Sequence, residues 1–203
     1  MLLKIHASHP QQRLLTRAAQ VLQKGGVIAY PTDFTYGFGC GLGEKKALEK
    51  IYRLRNLPAG KHLSIICKDI RQASTFAFIT DAAFKLMKRI LPGPYTFIFK
   101  ASREVPKILV SKRKEVGIRI CGNPIAHGLL ELMAMPILNS TVVWEEENMV
   151  DPELIYDHFG DDLELVVDGG AVTGEMSTVI DFTGDLPAII REGAGSVSVF
   201  LSN

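Results

Sequence analysis

The stretch YPTDFTYGFGCGLGEKKALEKIYRLRNLPAGK, residues 30–61, decides how the rest of the chain is read. The run Val27 to Tyr30 before it is apolar and β-favouring, and reads as a buried strand ending at Pro31. Thr32, Asp33, Thr35, Tyr36, Gly37 and Gly39 then read as a turn. Lys45 to Leu54 is expected to be a helix with Leu48, Ile51 and Tyr52 on one side. A basic loop follows, carrying Arg53, Arg55 and Lys61. A strand end, hydroxyls, glycines and cations within one βα unit are the parts that meet an anionic substrate. A structural strand–turn–helix with solvated cations uses the same residues. The glycines of YGFGC match neither a dinucleotide fingerprint nor a Walker loop. They read either as a close backbone approach to a ligand or as a strained turn.

Outward from this unit, helices and strands alternate. Leu2 to His6 is expected to be an edge strand, and Ser8 with Pro10 to open a helix that Gly25 and Gly26 close. Leu63 to Cys67 reads as a buried strand. Asp69 caps a helix to Phe76, and Thr80 or Asp81 another with Ala83, Phe84, Met87 and Ile90 inward. LPGPYT, residues 91–96, breaks that helix, and Tyr95 to Phe99 follows as a strand. Val105 to Val110 reads as a short helix and Ser111 to Lys114 as a basic loop. Val116 to Ile120 is a strand, Asn123 and Pro124 start a helix to Met133, and Ile137 to Val143 is strand-like. Glu145, Glu146 and Glu147 read as a solvated loop, Asp151 and Pro152 open a helix to Phe159, and Leu163 to Val167 is a strand. Thr178 to Phe182 and Ala188 to Arg191 form a closing hairpin around Gly184-Asp185. With no repeat, linker or composition shift, the reading is one domain of α/β (α+β type), built on a mixed sheet.

The totals narrow the function classes. The chain has 203 residues, 47% apolar and 22% charged, enough for one full core. A net charge of +1 gives no global basic field, so a polyanion would need a local patch. Cys40, Cys67 and Cys121 are odd in number and far apart, which argues against disulfide and zinc frameworks. No run approaches membrane-spanning length and the N-terminus lacks a secretory pattern, so a cytoplasmic location is expected. His62 and His127 have no triad partners by spacing, and no carboxylate or histidine cluster suggests a metal site.

Three features point to an anion. Arg53 and Arg55 with Lys61 can form a fork for phosphate or carboxylate oxygens. Arg53 alone also suits a helix C-terminus. Arg119 interrupts the apolar run VGIRI; buried, it needs an internal carboxylate or a ligand carboxylate, and exposed it simply faces water. Ser177, Thr178 and Arg191 sit at strand ends, where sheets bind ligands, or else on a surface hairpin.

The pieces KGGVIAYPTDFTYGFGC, RLRNLPAGKHLSIIC, LPGPYTFIFK, VGIRICGNP, PILNSTVV and MSTVIDFTGDLPAIIREGAG, taken in order, resemble the YrdC-like family, most closely its YciO branch. The resemblance covers nearly the whole chain. It implies a twisted mixed sheet curled around a basic cavity with flanking helices. It also implies an L-threonylcarbamoyladenylate synthase-like protein that takes ATP, threonine and bicarbonate and serves modification of an adenosine in certain tRNAs. Magnesium would arrive with the ATP rather than at a dedicated site. Carried over by position, Arg53, Arg55, Lys61, Thr141 and Arg191 would hold the nucleotide. Thr32, Thr35, Tyr36, Ser177 and Thr178 would line the substrate cavity, with Arg119 on the amino-acid carboxylate. The resemblance names no catalytic side chain. The alternative it leaves is a module binding tRNA or double-stranded RNA without synthase activity. Three departures weigh against full synthase activity. Phe34 stands where the family has threonine, Arg53 replaces the lysine of Lys-x-Arg, and Ser-x-Asn falls on Thr141-Val142-Val143. They leave anion binding intact.

Overall fold

A computed structural model describes residues 1–58, 63–107, 109 and 114–201. In chain order the elements begin with β1 (Leu2–Lys4), α1 (Gln12–Gln23), β2 (Ile28–Pro31), β3 (Tyr36–Gly41), α2 (Lys45–Leu54) and β4 (Ser64–Ile66). Next come α3 (Ile70–Phe76), α4 (Asp81–Ile90), β5 (Tyr95–Lys100), β6 (Glu115–Arg119), α5 (Pro124–Met133) and β7 (Ile137–Thr141). The chain closes with β8 (Val143–Trp144), β9 (Glu147–Asn148), α6 (Pro152–Phe159), β10 (Leu165–Asp168), β11 (Thr178–Asp181), β12 (Ala188–Arg191) and α7 (Ser198–Leu201). Among the described residues one ten-stranded sheet runs β1-β10-β2-β3-β7-β4-β6-β5-β11-β12, with β8 and β9 apart as a hairpin. It is mixed: β2, β3, β7 and β4 alternate in direction, while β4 with β6 and β5 with β11 are parallel.

Alternation of side chains along the strands assigns two faces. On one face Ala29, Phe38 and Leu138 pack with Leu48 and Ile51 of α2 and Ile155 and Phe159 of α6. Further along that face Ile65, Phe97, Ile118 and Ile180 pack with Ala73 of α3 and Ala83 and Met87 of α4. On the other face Ile28, Tyr30, Ile66, Ile137 and Val167 pack under Leu15, Ala18 and Leu22 of α1 and Ile125, Leu129 and Leu130 of α5. This face is covered by helices over only part of its width, and the strands β7, β4, β6, β5 and β11 supply the floor of a cavity there.

The largest correction to the sequence reading is β3. Residues Tyr36 to Gly39 are not a turn but the start of a central, fully buried strand between β2 and β7. Its glycines are required by packing rather than by backbone conformation. A Cβ on Gly39 would meet the Tyr30 ring at 2.6 Å, and one on Gly37 would overlap Asn139 Oδ1. The tight turn before β3 is closed by Thr32, whose amide and hydroxyl both donate to the Thr35 carbonyl, at 2.8 and 2.7 Å.

Several local readings also move. Ser8 does not cap α1; that helix starts after Gln11 with no side-chain cap, and Ser8 bonds the rings of His6 and His9 instead. Asp69 and Thr80 do cap α3 and α4, accepting from Gln72 N at 2.6 Å and Ala83 N at 3.3 Å. Phe84 turns outward on α4 and is 43% exposed. The described residues between Val105 and Leu109 form turns rather than a helix, and most of the Ser111–Lys114 loop lies outside the described residues. Glu145 and Glu146 form the tight turn between β8 and β9, both with positive φ. No helix of the described residues is long and apolar enough to cross a membrane.

Candidate functional site

The cavity is about 370 Å³. Ser64 of β4, Gly117 and Arg119 of β6, Thr96 and Ile98 of β5 and Val179 of β11 make its floor. Small residues keep that floor low. A Cβ on Gly117 would meet Thr96 Cγ2 at 3.5 Å and Ser64 Cα at 3.6 Å, which is ordinary contact, so the glycine leaves room rather than relieving a clash. The walls come from Asn139, Ser140 and Thr141 of β7, Arg55 after α2, Thr35, Met176, Ser177 and Arg191.

Arg119 is the most demanding group in the site. It is 6% exposed, and its Nη2 lies 3.4 Å from Asp33 Oδ2, its single ion pair among the described residues. Asp33 divides its charge, because Oδ1 accepts the Gly122 amide at 2.6 Å. Arg119 Nε is buried and has no hydrogen-bond partner among the described residues. A guanidinium removed from water and left with an unmet donor is costly. A ligand carboxylate or phosphate oxygen meets that need in the planar geometry a guanidinium favours.

Two further arginines line the walls. Arg55 Nη1 donates to Ser140 Oγ at 2.8 Å and to the Thr141 carbonyl, which fastens the loop after α2 to the end of β7. Arg191 donates through Nε and Nη2 to the Ser177 carbonyl at 3.0 and 2.8 Å, and through Nη2 to Ser177 Oγ at 3.2 Å. Ser177 Oγ also lies 2.8 Å from Thr96 Oγ1. Burial lowers the pKa of Arg55 below the ordinary arginine value. Burial first, and the charge of Arg119 second, lower that of Arg191. Guanidiniums remain charged at any physiological pH. Arg119 and Arg191 therefore repel each other. Glu115 is the one carboxylate among the described cavity-lining residues.

Of the residues singled out from the sequence, Thr35, Arg55, Arg119, Thr141, Ser177 and Arg191 line this cavity together. Others turn away from it. Thr32 is fully buried in its turn. The Tyr36 hydroxyl donates to the Gly170 carbonyl at 2.8 Å and accepts the Gly169 amide at 3.1 Å, and burial raises its pKa. Thr178 donates to the Gly195 carbonyl at 2.6 Å and accepts the Gly193 amide at 3.0 Å, pinning the chain after β12. Arg53 is exposed in the last turn of α2 and does not line the cavity. Lys61 lies outside the described residues. Ser64, Thr96, Gly117, Asn139 and Ser140 were not singled out. Counting by twos from Arg119 reaches Gly117, so strand alternation was a usable signal for it.

No group of three or more metal-ligating side chains occurs among the described residues. Cys40, Cys67 and Cys121 are buried free thiols, each pushed up to about 12 mainly by burial. The cysteine thiols are therefore poor nucleophiles, and the described cavity lining supplies cations, hydroxyls, amides and the Glu115 carboxylate.

Residues 20–193 match the Sua5/YciO/YrdC family model, described as telomere recombination. The chain is 44% identical over 200 residues to the uncharacterized protein YciO of Escherichia coli, covering 97% of each. The crystal structure of that YciO superposes with a TM-score of 0.94 over 98% of each chain. A threonylcarbamoyl-AMP synthase of Pyrococcus abyssi is 30% identical over 87% of this chain, which spans 53% of that protein's length. A structure of P. abyssi Sua5 complexed with L-threonine superposes with a TM-score of 0.89 and 27% identity, over 95% of this chain and 57% of that one. The fold is that of the YciO and Sua5 domains, and the chain belongs to the Sua5/YciO/YrdC family.

Proposed function

We propose that the cavity holds an L-threonine-like amino acid and ATP side by side and forms a threonylcarbamoyl-adenylate, more slowly than a full synthase. The observation that carries this is Arg119, nearly buried with Nε unpartnered at the cavity. A carboxylate placed there meets the unmatched donor, and the threonine complex of Sua5 supplies the chemical type. Arg55 and Arg191 face the same space and would neutralise phosphate charge. Magnesium would enter with the triphosphate.

The reaction asks little covalent help of the protein. A carbamate oxygen, formed from the amine and bicarbonate, attacks the α-phosphorus, and pyrophosphate leaves. Positioning and charge stabilisation carry such a step. Val143 offers no amide where the family pattern has one, which favours a slow reaction. The adenylate is an activated carbamoyl donor suited to an amine acceptor such as a tRNA adenosine.

The test is pyrophosphate release from ATP, threonine and bicarbonate. Release that needs all three, with Arg119→Ala raising the threonine KM about tenfold or more and the ATP KM little, supports the reading. No release above background, or equal losses for both substrates, contradicts it. One observation favours the RNA-binding reading separately: α4 turns Phe84, Lys85, Lys88 and Arg89 outward together. Basic and aromatic groups on one face suit a nucleic-acid backbone and its bases. Titrating tRNA at two salt concentrations decides it, because phosphate tracking demands a steep loss of affinity with salt.

A further inference from the structure

Asn139 is buried, 3% exposed, in the strand that walls the cavity. The Tyr30 hydroxyl donates to its Oδ1 at 3.0 Å. Gly37 on β3 is what lets the carboxamide lie flat, since any Cβ there would overlap Oδ1. Nδ2 lies on the far side, 3.5 Å from the position of that Cβ. The Tyr30 bond holds Oδ1, and the glycine gap leaves the carboxamide its space.

The neighbours show what Nδ2 is for. Asn139 pairs across the sheet with Ser64, and Ser64 with Gly117, so one row of the cavity floor runs from the amide over a hydroxyl to bare backbone. One and two residues further along β7, the Ser140 hydroxyl and the Thr141 carbonyl receive Arg55. An N–H donor in a cavity that also holds a guanidinium suits an acceptor oxygen carrying negative charge. With one lone pair of Oδ1 taken by Tyr30, the carboxamide still has its two Nδ2 hydrogens to donate.

We propose that Asn139 is a specificity-determining residue that donates through Nδ2 to a phosphate oxygen of the nucleotide, with Tyr30 as the positioning residue that holds its Oδ1. This deepens the reading of the cavity given above and rests on it. The family pattern puts a side-chain amide at position 143, where this chain has valine. Asn139 places one four residues earlier, on β7 and at the cavity.

The experiment is calorimetric titration of wild type, Asn139→Asp and Tyr30→Phe with ATP, pyrophosphate and L-threonine. Asn139→Asp keeps the size and the Tyr30 bond and turns the donor into a carboxylate oxygen. ATP and pyrophosphate affinity should fall roughly 10- to 100-fold, with threonine affinity within about twofold. Tyr30→Phe should cost the two phosphate ligands a few-fold and threonine nothing, and it decides the matter if Asn139→Asp fails to fold. Unchanged phosphate affinity in the folded variants, or equal losses for threonine, overturns the assignment while wild-type binding leaves the cavity reading standing. A wild type that binds none of the three probes overturns both.

Discussion

Arg119 stands in an otherwise apolar β-run, and that mismatch alone made it visible in the sequence. A strand that carries a buried charge needs a reason, and here the reason is an ion pair with Asp33 and a donor left over at a cavity. Threonines and serines were harder to sort. Thr32 and Thr178 bond their own backbone surroundings while Thr35 lines the cavity, yet as letters in a strand end they look alike. Which of two hydroxyls faces a cavity depends on register, and sequence does not print register. The cysteines give a test at this scale. With each thiol buried and its pKa near 12, Cys40, Cys67 and Cys121 should resist a thiol reagent at pH 8 in the native protein and react when it is unfolded. Native labelling within minutes, followed by mass spectrometry, would contradict their placement in the core.

At the level of elements, the helices were legible because their signals are local. The Asp69 and Thr80 caps, Pro124 behind Asn123 and the apolar spacing of α2 all act within a few residues. β3 was misread because alternating glycines look like a turn. They serve instead to admit the Tyr30 ring and the Asn139 amide from neighbouring strands, a demand that arises only after distant segments pair. Two substitutions separate the uses of glycine. Gly37→Ala should cost about 1–3 kcal/mol, since the methyl enters occupied space. Gly117→Ala should stay within about 0.5 kcal/mol, since its methyl meets only ordinary contacts at 3.5 Å and beyond. Urea midpoints read both; a neutral Gly37→Ala would show that β3 does not pack as described.

For the whole molecule, fold class followed from the alternation of helices and strands and from the closing hairpin. The strand order did not. Joining β10 to β1 and β2, and β11 to β5, brings together segments far apart in the sequence, as in Leu2 with Val166 and Tyr95 with Thr178, through contacts no local pattern encodes. Glu164 is one such link. It accepts Lys50 Nζ at 2.8 Å and the Val27 amide at 2.7 Å, tying α2 and the start of β2 to the approach to β10. Partial burial raises its pKa, but the bonds from Lys50 and Val27 prevail and the net shift is downward. A carboxylate with a folded pKa below its unfolded value adds stability that is fully present above the unfolded pKa. That stability is lost as pH falls through the folded one. Glu164→Gln should therefore be less stable than wild type at pH 7, by under about 1 kcal/mol for so exposed a pair. The gap should close by about pH 3, below the usual glutamate range. A gap independent of pH, measured by urea unfolding at both values, would remove Glu164 from the acid response.

The most direct measurement is a crystal of the protein soaked with L-threonine. The expected density puts the carboxylate within about 3 Å of Arg119 Nε, with the Asp33 pair intact and the amino group toward the space flanked by Arg55 and Arg191. Threonine bound elsewhere, or a cavity that holds only water at saturating ligand, would contradict the central claim that Arg119 is kept buried to receive a ligand's negative charge.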